Sequence, residues 1–251
     1  MAAVATVAHA ESTTVTSGYI EGHYTRPDTT VSGLGDQAVD VWGVNGAVAL
    51  PLSGNWGAQV DADVSDYTFS NIDPALNDRT VFTPTAHAYY RTDRFLGGAF
   101  VGTETTQGAT AWGGGFEGQA YVTPKWTLDG SVGYAGVNDT DLTMWGVRGG
   151  ARYFVTDNLS LKGSVNWVRA SVSGAGHSDL WNLGVGGEYQ LKSVPLALTL
   201  GYERGEWHDV DAHSDTIRVG IKWSFGGGTL HDRDRHGASL GSISDTFGGE
   251  A

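Results

Sequence analysis

TIRVGIKWSF, residues 216–225, alternates without a break: Ile217, Val219, Ile221, Trp223 and Phe225 fall on one face of an extended chain, Arg218, Gly220, Lys222 and Ser224 on the other. The first face suits hydrocarbon. The second carries two cations and needs water. A strand with both faces separates lipid from water, as the wall of a membrane barrel does.

The same alternation extends back through the chain. About twelve segments carry it, from residues 14–24 at the start to 214–225 at the end, and no helical period interrupts them. No run reaches the roughly 18 consecutive apolar residues that a spanning helix needs. The slightly negative mean hydropathy is no objection, because a membrane strand is apolar only at alternate positions. Short turns are expected after the even strands, at 53–55, 92–94, 123–125, 156–158 and 192–194. Longer acidic or glycine-rich loops are expected after odd ones, notably at 25–38, 67–79 and 205–213. A glycine followed three residues later by an aromatic recurs at Gly118 and Tyr121, Gly150 and Tyr153, Gly186 and Tyr189, and Gly220 and Trp223, one hairpin apart each time. The fold class is all-β, a transmembrane antiparallel up-and-down barrel of about 12 strands.

Aromatics on the apolar face support that reading. Trp126 and Tyr134, Trp145 and Tyr153, Leu159 and Trp167, Trp181 and Tyr189, and Ile217 and Phe225 are each eight positions apart, so each pair shares a face. Tilted by about 40°, such a spacing rises roughly 20 Å, close to the apolar band between two aromatic girdles. With Trp42, Trp112 and Trp223 these are the candidate girdle residues. The opposite parity collects Glu21, His23, Gln59, Asp61, Asp63, His87, Arg91, Glu117, Gln119, Asp129, Arg148, Arg152, Lys162, Asn166, Glu188, Gln190, Glu203, Arg218 and Lys222. Arg or Lys at a bilayer midplane costs about 2–4 kcal/mol, so these side chains are assigned to the lumen, and the ionisable ones from Asp61 onward are the candidate pore lining. Cations gather on strands eight, nine and twelve, and Asp61, Asp63, Glu117 and Asp129 on strands three, six and seven. Signs separated in this way would set a transverse field across a pore. The alternative is a lumen filled by paired charges, and twelve strands lie between filled and open barrels.

In order, Arg218, Gly220, Trp223 and Phe225 resemble the closing-strand signal of Gram-negative outer-membrane β-barrels. The chain over residues 12–225 resembles porin-like proteins of that class, with a strand count similar to small monomeric channels for acidic sugars and nucleosides. The resemblance implies an outer-membrane location with both termini in the periplasm, and passive diffusion of small hydrophilic solutes. It implies outer-membrane lipid, lipopolysaccharide and the barrel assembly machinery as partners, with no cofactor and an unspecified oligomeric state. A sealed structural or adhesive barrel with acidic loops is the alternative, and a lipid-modifying enzyme a weaker one. His177 and Ser178, being adjacent, point to opposite faces of a strand and do not form a nucleophile and base pair.

The ends and the loops complete the sequence reading. Residues 1–10, MAAVATVAHA, end in an Ala-x-Ala pattern and read as the remnant of a signal peptide whose start lies further upstream; 11–225 is the barrel. Residues 226–251 are rich in Gly, Ser and charge and are expected to be a disordered periplasmic tail, with Gly226, Gly227 and Gly228 as a flexible exit. Its HDRDRH run, 231–236, is a possible contact for peptidoglycan or a periplasmic partner. His208, Asp209, Asp211 and His213 are a weak candidate metal set. A net charge of -13 opposes nucleic-acid binding, and with no Cys there is no disulfide and no thiolate chemistry.

Overall fold

A computed structural model describes residues 16–33, 35–69, 78–209 and 211–248. The expected signal-peptide remnant, 1–10, lies outside them. The chain forms twelve antiparallel strands: β1 Ser17–Val31, β2 Gly35–Pro51, β3 Trp56–Phe69, β4 Asp78–Arg91, β5 Phe95–Thr106, β6 Ala109–Thr123, β7 Trp126–Val137, β8 Leu142–Thr156, β9 Leu159–Val172, β10 Gly176–Gln190, β11 Leu196–Trp207 and β12 Ala212–Phe225. Each pairs with its sequence neighbours, and β1 pairs with β12 to close the barrel. Closure leaves no strand edge unpaired, which is the condition for a sheet to sit in lipid.

The strand that opened the sequence reading is the closing element. Glu21 lies opposite Lys222 and Gly18 opposite Phe225 in the β1–β12 register. A Cβ on Gly18 would collide with the Phe225 ring, so the glycine makes room for the terminal aromatic. Of the three in-strand prolines, Pro51 ends β2, and the other two each interrupt one ladder only. Pro27 pairs with Thr216 but not with β2, and Pro84 pairs with Ala62 but not with β5. A residue without an N–H can donate to neither neighbour, and a barrel tolerates the gap locally. Bulges between Tyr121 and Thr123 and between Phe154 and Thr156 lie at the rim of the even-strand turns.

Much of the expected long loops is strand: residues 25–31, 35–38, 67–69, 78–79, 205–207 and 212–213 belong to strands, and 70–77 of the expected 67–79 loop lie outside the described residues. Charge-rich composition suggested loops there, but the strands continue past the apolar band and pair opposite charges across the ladder. Arg26 meets Asp40 at 3.2 Å, Arg169 meets Asp179 through two bonds of 2.7 Å, and Arg204 meets Asp215 at 2.9 Å.

The larger correction concerns the tail. Residues 226–248 do not trail from the barrel; they turn back into its lumen and fold there. Gly226, Gly227 and Gly228 have φ of 92°, 81° and 86°, a left-handed run that only glycine adopts without strain, and a Cβ on Gly226 would stand 2.6 Å from the Ser17 Cα. The run is a fixed reversal rather than a flexible exit. It leads into α1 Leu230–His236, an extended stretch, and α2 Ile243–Phe247. Thr229 caps α1 in a capping box: its hydroxyl accepts from the Asp232 N–H at 3.1 Å, and the Asp232 carboxylate accepts from the Thr229 N–H at 2.9 Å.

Candidate functional site: the lumen

Inside the barrel, period-two alternation delivers the polar parity inward from every wall. The tail meets it with matching groups. The HDRDRH run, read from sequence as a possible cell-wall contact, is spent on the barrel interior. His231 stacks edge-on against Phe154 at 4.8 Å and bonds the Pro124 carbonyl at 2.7 Å. Arg233 bonds Glu188 and Ser224. Asp234, 2% exposed, accepts from Thr127 and Arg152, each at 2.6 Å. Arg235 lies over the Tyr121 ring at 4.5 Å. Further along, Ala238 packs on Ala47 and Ala49, and Leu240 on Tyr89 and Leu96. Gln59 donates to the Leu240 carbonyl, and Asn166 to the carbonyls of Asp245 and Thr246.

α2 fits because the wall facing it is bare. Gly102, Gly113, Gly133 and Gly146 are inward positions of β5, β6, β7 and β8. A Cβ at Gly102 or Gly113 would stand 3.1 or 3.0 Å from Ile243, one at Gly133 2.8 Å from Phe247, and one at Gly146 would overlap the Thr246 carbonyl. Four glycines on four successive strands thus form the seat of a lumen helix.

Above and beside the tail remains a cavity of about 630 Å³. Its lining runs from Thr29 and Ser214 on the odd-strand side to Thr127 and Ser160 near the even-strand turns. Of the candidate pore residues, Asp61, Asp63, Glu117, Asp129, Arg148, Arg152, Lys162, Glu188, Glu203, Arg218 and Lys222 line it. The other two do not. His87 is on the inward face but covered, its side chain fully buried, with Nε2 2.7 Å from Asp61 and Nδ1 2.6 Å from Glu117. Arg91 turns down to the tail, donating to the Ser239 hydroxyl at 3.0 Å. Glu104 and Tyr67 line the cavity as well. Sequence reading passed over both, placing Tyr67 in a loop and Glu104 at a strand end.

The expected separation of signs is met on one side only. The cations of β8 and β12 are paired where they stand: Arg148 with Asp129, Arg152 with Asp234, and Lys222 with Glu188 at 3.1 Å. Lys222 and Arg218 each also lie 3.7 Å from Glu21. Sequence position hides these partners, because β1 and the tail reach β12 and β8 only through closure of the barrel.

Candidate girdle residues face outward. Trp42, Trp112, Trp126, Trp145, Trp181, Tyr189 and Trp223 are exposed, while Tyr134, Tyr153, Trp167 and Phe225 are half-buried against neighbouring rings. Tyr134 lies 6.2 Å from Trp112 and 5.2 Å from Trp145, and Trp167 lies 6.5 Å from Trp181. Toward the even-strand turns, Trp126 meets Tyr153 at 4.9 Å and Trp223 meets Phe225 at 5.7 Å. Trp56, Tyr90 and Phe95 extend this second row, with Trp56 5.4 Å from Tyr90.

The candidate metal set is not assembled. Among the described residues no three His, Asp or Glu side chains stand where they could hold an ion. Asp209 instead accepts from the Asp179 N–H at 3.0 Å, and Asp211 occupies the turn with φ of 46°.

Asp232 stands at the exposed rim end of the tail, outside the spanning strands. Its carboxyl is held below the ordinary value, first by the backbone N–H of Thr229 and then by the Thr229 hydroxyl, against partial desolvation. A lowered folded value means that the cap contributes fully above the ordinary aspartate range, about 3.9, and is lost as the pH falls through the folded value. Protease nicking of the tail is therefore expected to rise only at pH below about 4, and Asp232→Asn should remove that dependence.

No protein-family description and no curated protein matches the sequence. Solved structures do match. An outer-membrane channel from Pseudomonas putida F1 is 14% identical, with a TM-score of 0.66 over 84% of this chain and 95% of that one. The KdgM porin, solved in complex with disordered oligogalacturonate, is 11% identical, with a TM-score of 0.53 over 82% of this chain and 99% of that one. The translocator domain of the autotransporter NalP from Neisseria meningitidis is 12% identical, with a TM-score of 0.53 over 83% and 88%. At such identities the likeness is one of fold. Closed twelve-stranded wall, outward aromatics and polar interior give the chain the β-barrel fold of the outer-membrane channels to which it is similar.

Proposed function

We propose that the protein is a porin-like channel for passive diffusion of small hydrophilic solutes, constricted by its own C-terminal tail. The cavity carries this reading: its polar lining reaches from one end of the barrel to residues beside the other. A barrel that only filled its interior would pair side chain with side chain and leave no such space. The reading is of transport rather than catalysis. The one imidazole held by two carboxylates, His87, has both nitrogens engaged and offers no base to a hydroxyl nucleophile. With short turns toward the periplasm, as in barrels of this class, the tail enters from the periplasmic side. Outward Arg26, Arg169 and Arg204, one outward position beyond Tyr24, Trp167 and Tyr202, stand at headgroup level and suit contact with lipopolysaccharide. Assembly by the barrel assembly machinery fits the closing-strand pattern of β12.

A second reading, a sealed structural barrel, draws on the same tail, which occupies much of the lumen. Planar-bilayer recording separates the two. The full chain is expected to give small, reproducible unitary steps. Absence of steps from both the full chain and a chain ending at Phe225 would leave the sealed barrel standing.

A further inference from the structure

Charges in the lumen are balanced on one wall and unbalanced on the other. On β3, β5 and β6, the carboxylates of Asp61, Asp63, Glu104 and Glu117 face no Lys or Arg within ion-pair distance among the described residues. Their basic neighbours among the described residues are imidazoles: His87 bridges Asp61 and Glu117, and His23 lies 3.8 Å from Asp63. Among the described residues Glu104 has no ion-pair partner, and it is close enough to Asp63 for their charges to interact. Opposite them Arg148 is paired with Asp129, Arg152 with Asp234 and Lys222 with Glu188, and Arg218 and Lys222 share Glu21. An anion entering the lumen therefore finds its attractive partners taken, and a cation finds open carboxylates.

A second, independent observation lies in the same cavity. The Nδ1 of His23, the Oγ1 of Thr25, the Nδ2 of Asn182 and the Oδ1 of Asp61 are buried without a hydrogen-bond partner, in side chains only 6%, 7%, 4% and 6% exposed. All four residues line the cavity. Buried polar atoms are nearly always bonded, so these four leave hydrogen-bonding capacity unspent in residues that line one space. Tyr67 lines the same space within electrostatic range of Glu104, Asp63 and, as the smallest of the three influences, Arg218, and adds an aromatic face of the kind that favours cations.

We propose that this part of the lumen binds small organic cations, an ammonium or guanidinium group sitting between Asp63 and Glu104 beside the Tyr67 ring. The proposal rests on the channel reading for its route but not for its test. Isothermal titration calorimetry on the detergent-solubilised full chain would use putrescine as the probe and succinate, a four-carbon dianion, as its counterpart. Putrescine is expected to bind, and succinate not. The double variant Asp63→Asn, Glu104→Gln should weaken putrescine binding by about tenfold or more, as expected for loss of charge-assisted contacts. Both substitutions preserve shape, and an unchanged heat-modifiable gel mobility would show that the barrel still closes. No heat from putrescine with the native chain would overturn the proposal, as would equal or tighter binding of succinate, or an unchanged affinity in the variant. Binding of putrescine by a protein without conductance would keep this site and remove only the channel.

Discussion

A chain ending at Phe225 is expected to conduct several-fold more than the full chain in planar bilayers, with the barrel intact. The reason lies in what the tail touches. It fills the lumen beside the even-strand turns, with α1 over Phe154 and Thr127 and α2 in the glycine seat of β5 to β8. Its anchors are mainly hydrogen bonds from polar lumen residues, among them Gln59, Arg91, Gln119, Asn166 and Arg152. When the tail is removed those groups meet water, which satisfies them, so the net loss per bond is only about 0.5–1.5 kcal/mol. Glu188 keeps Lys222 when Arg233 leaves. The wall, by contrast, is held by twelve ladders closed into a ring, which the deletion does not touch. A point variant checks the same idea in the full-length chain. Leu240→Asp would place an unpaired carboxylate between Tyr89 and Leu96 and should release the tail, raising conductance toward the truncated level. Equal conductance of full and shortened chains would show that the tail does not limit flow.

Replacing His87 by Leu is expected to destabilise the barrel by about 3–5 kcal/mol, the usual cost of removing one partner from a buried ion pair. Imidazole stands between Asp61 and Glu117 with both nitrogens bonded and no exposed ring surface. Leucine retains the apolar contact toward Phe100, whose ring centre is 6.2 Å away. What it discards is the one group that separates and neutralises two carboxylates. Packing is therefore the smaller effect and stranded charge the larger. The midpoint of chemical unfolding in detergent micelles should fall accordingly. Adding Asp61→Asn and Glu117→Gln to His87→Leu should recover much of the loss, because neutral amides no longer repel each other. A His87→Leu chain as stable as the native one would show that water reaches the carboxylates freely.

How far the site could be read from sequence depended on whether the deciding physics was local. Inward or outward direction is set by alternation along a single strand. It was legible at Arg218 and Lys222, at Asp61 and Asp63, and at each of the paired tryptophans and tyrosines. Glu104 and Tyr67 were missed because a charge near a strand end looks like a loop. In the folded chain the strands run past the apolar band, so those positions still face the cavity.

The amino-acid sequence by itself determined the class of fold, the strand number, the outward aromatic rows and the polarity of the interior. All of these follow from a period of two that each strand displays on its own. Only the tertiary structure decided which lumen charges are quenched and where the tail goes. Glu21 neutralises Lys222 and Arg218 because closure places β1 beside β12, a pairing between the two ends of the barrel. Residues 226–248 look like a solvated segment because they carry few apolar side chains, and in an ordinary protein no core would take them. Here the interior is polar, so the Gly-, Ser- and charge-rich composition that suggested solvent is what allows the tail to bond to the inside of the barrel.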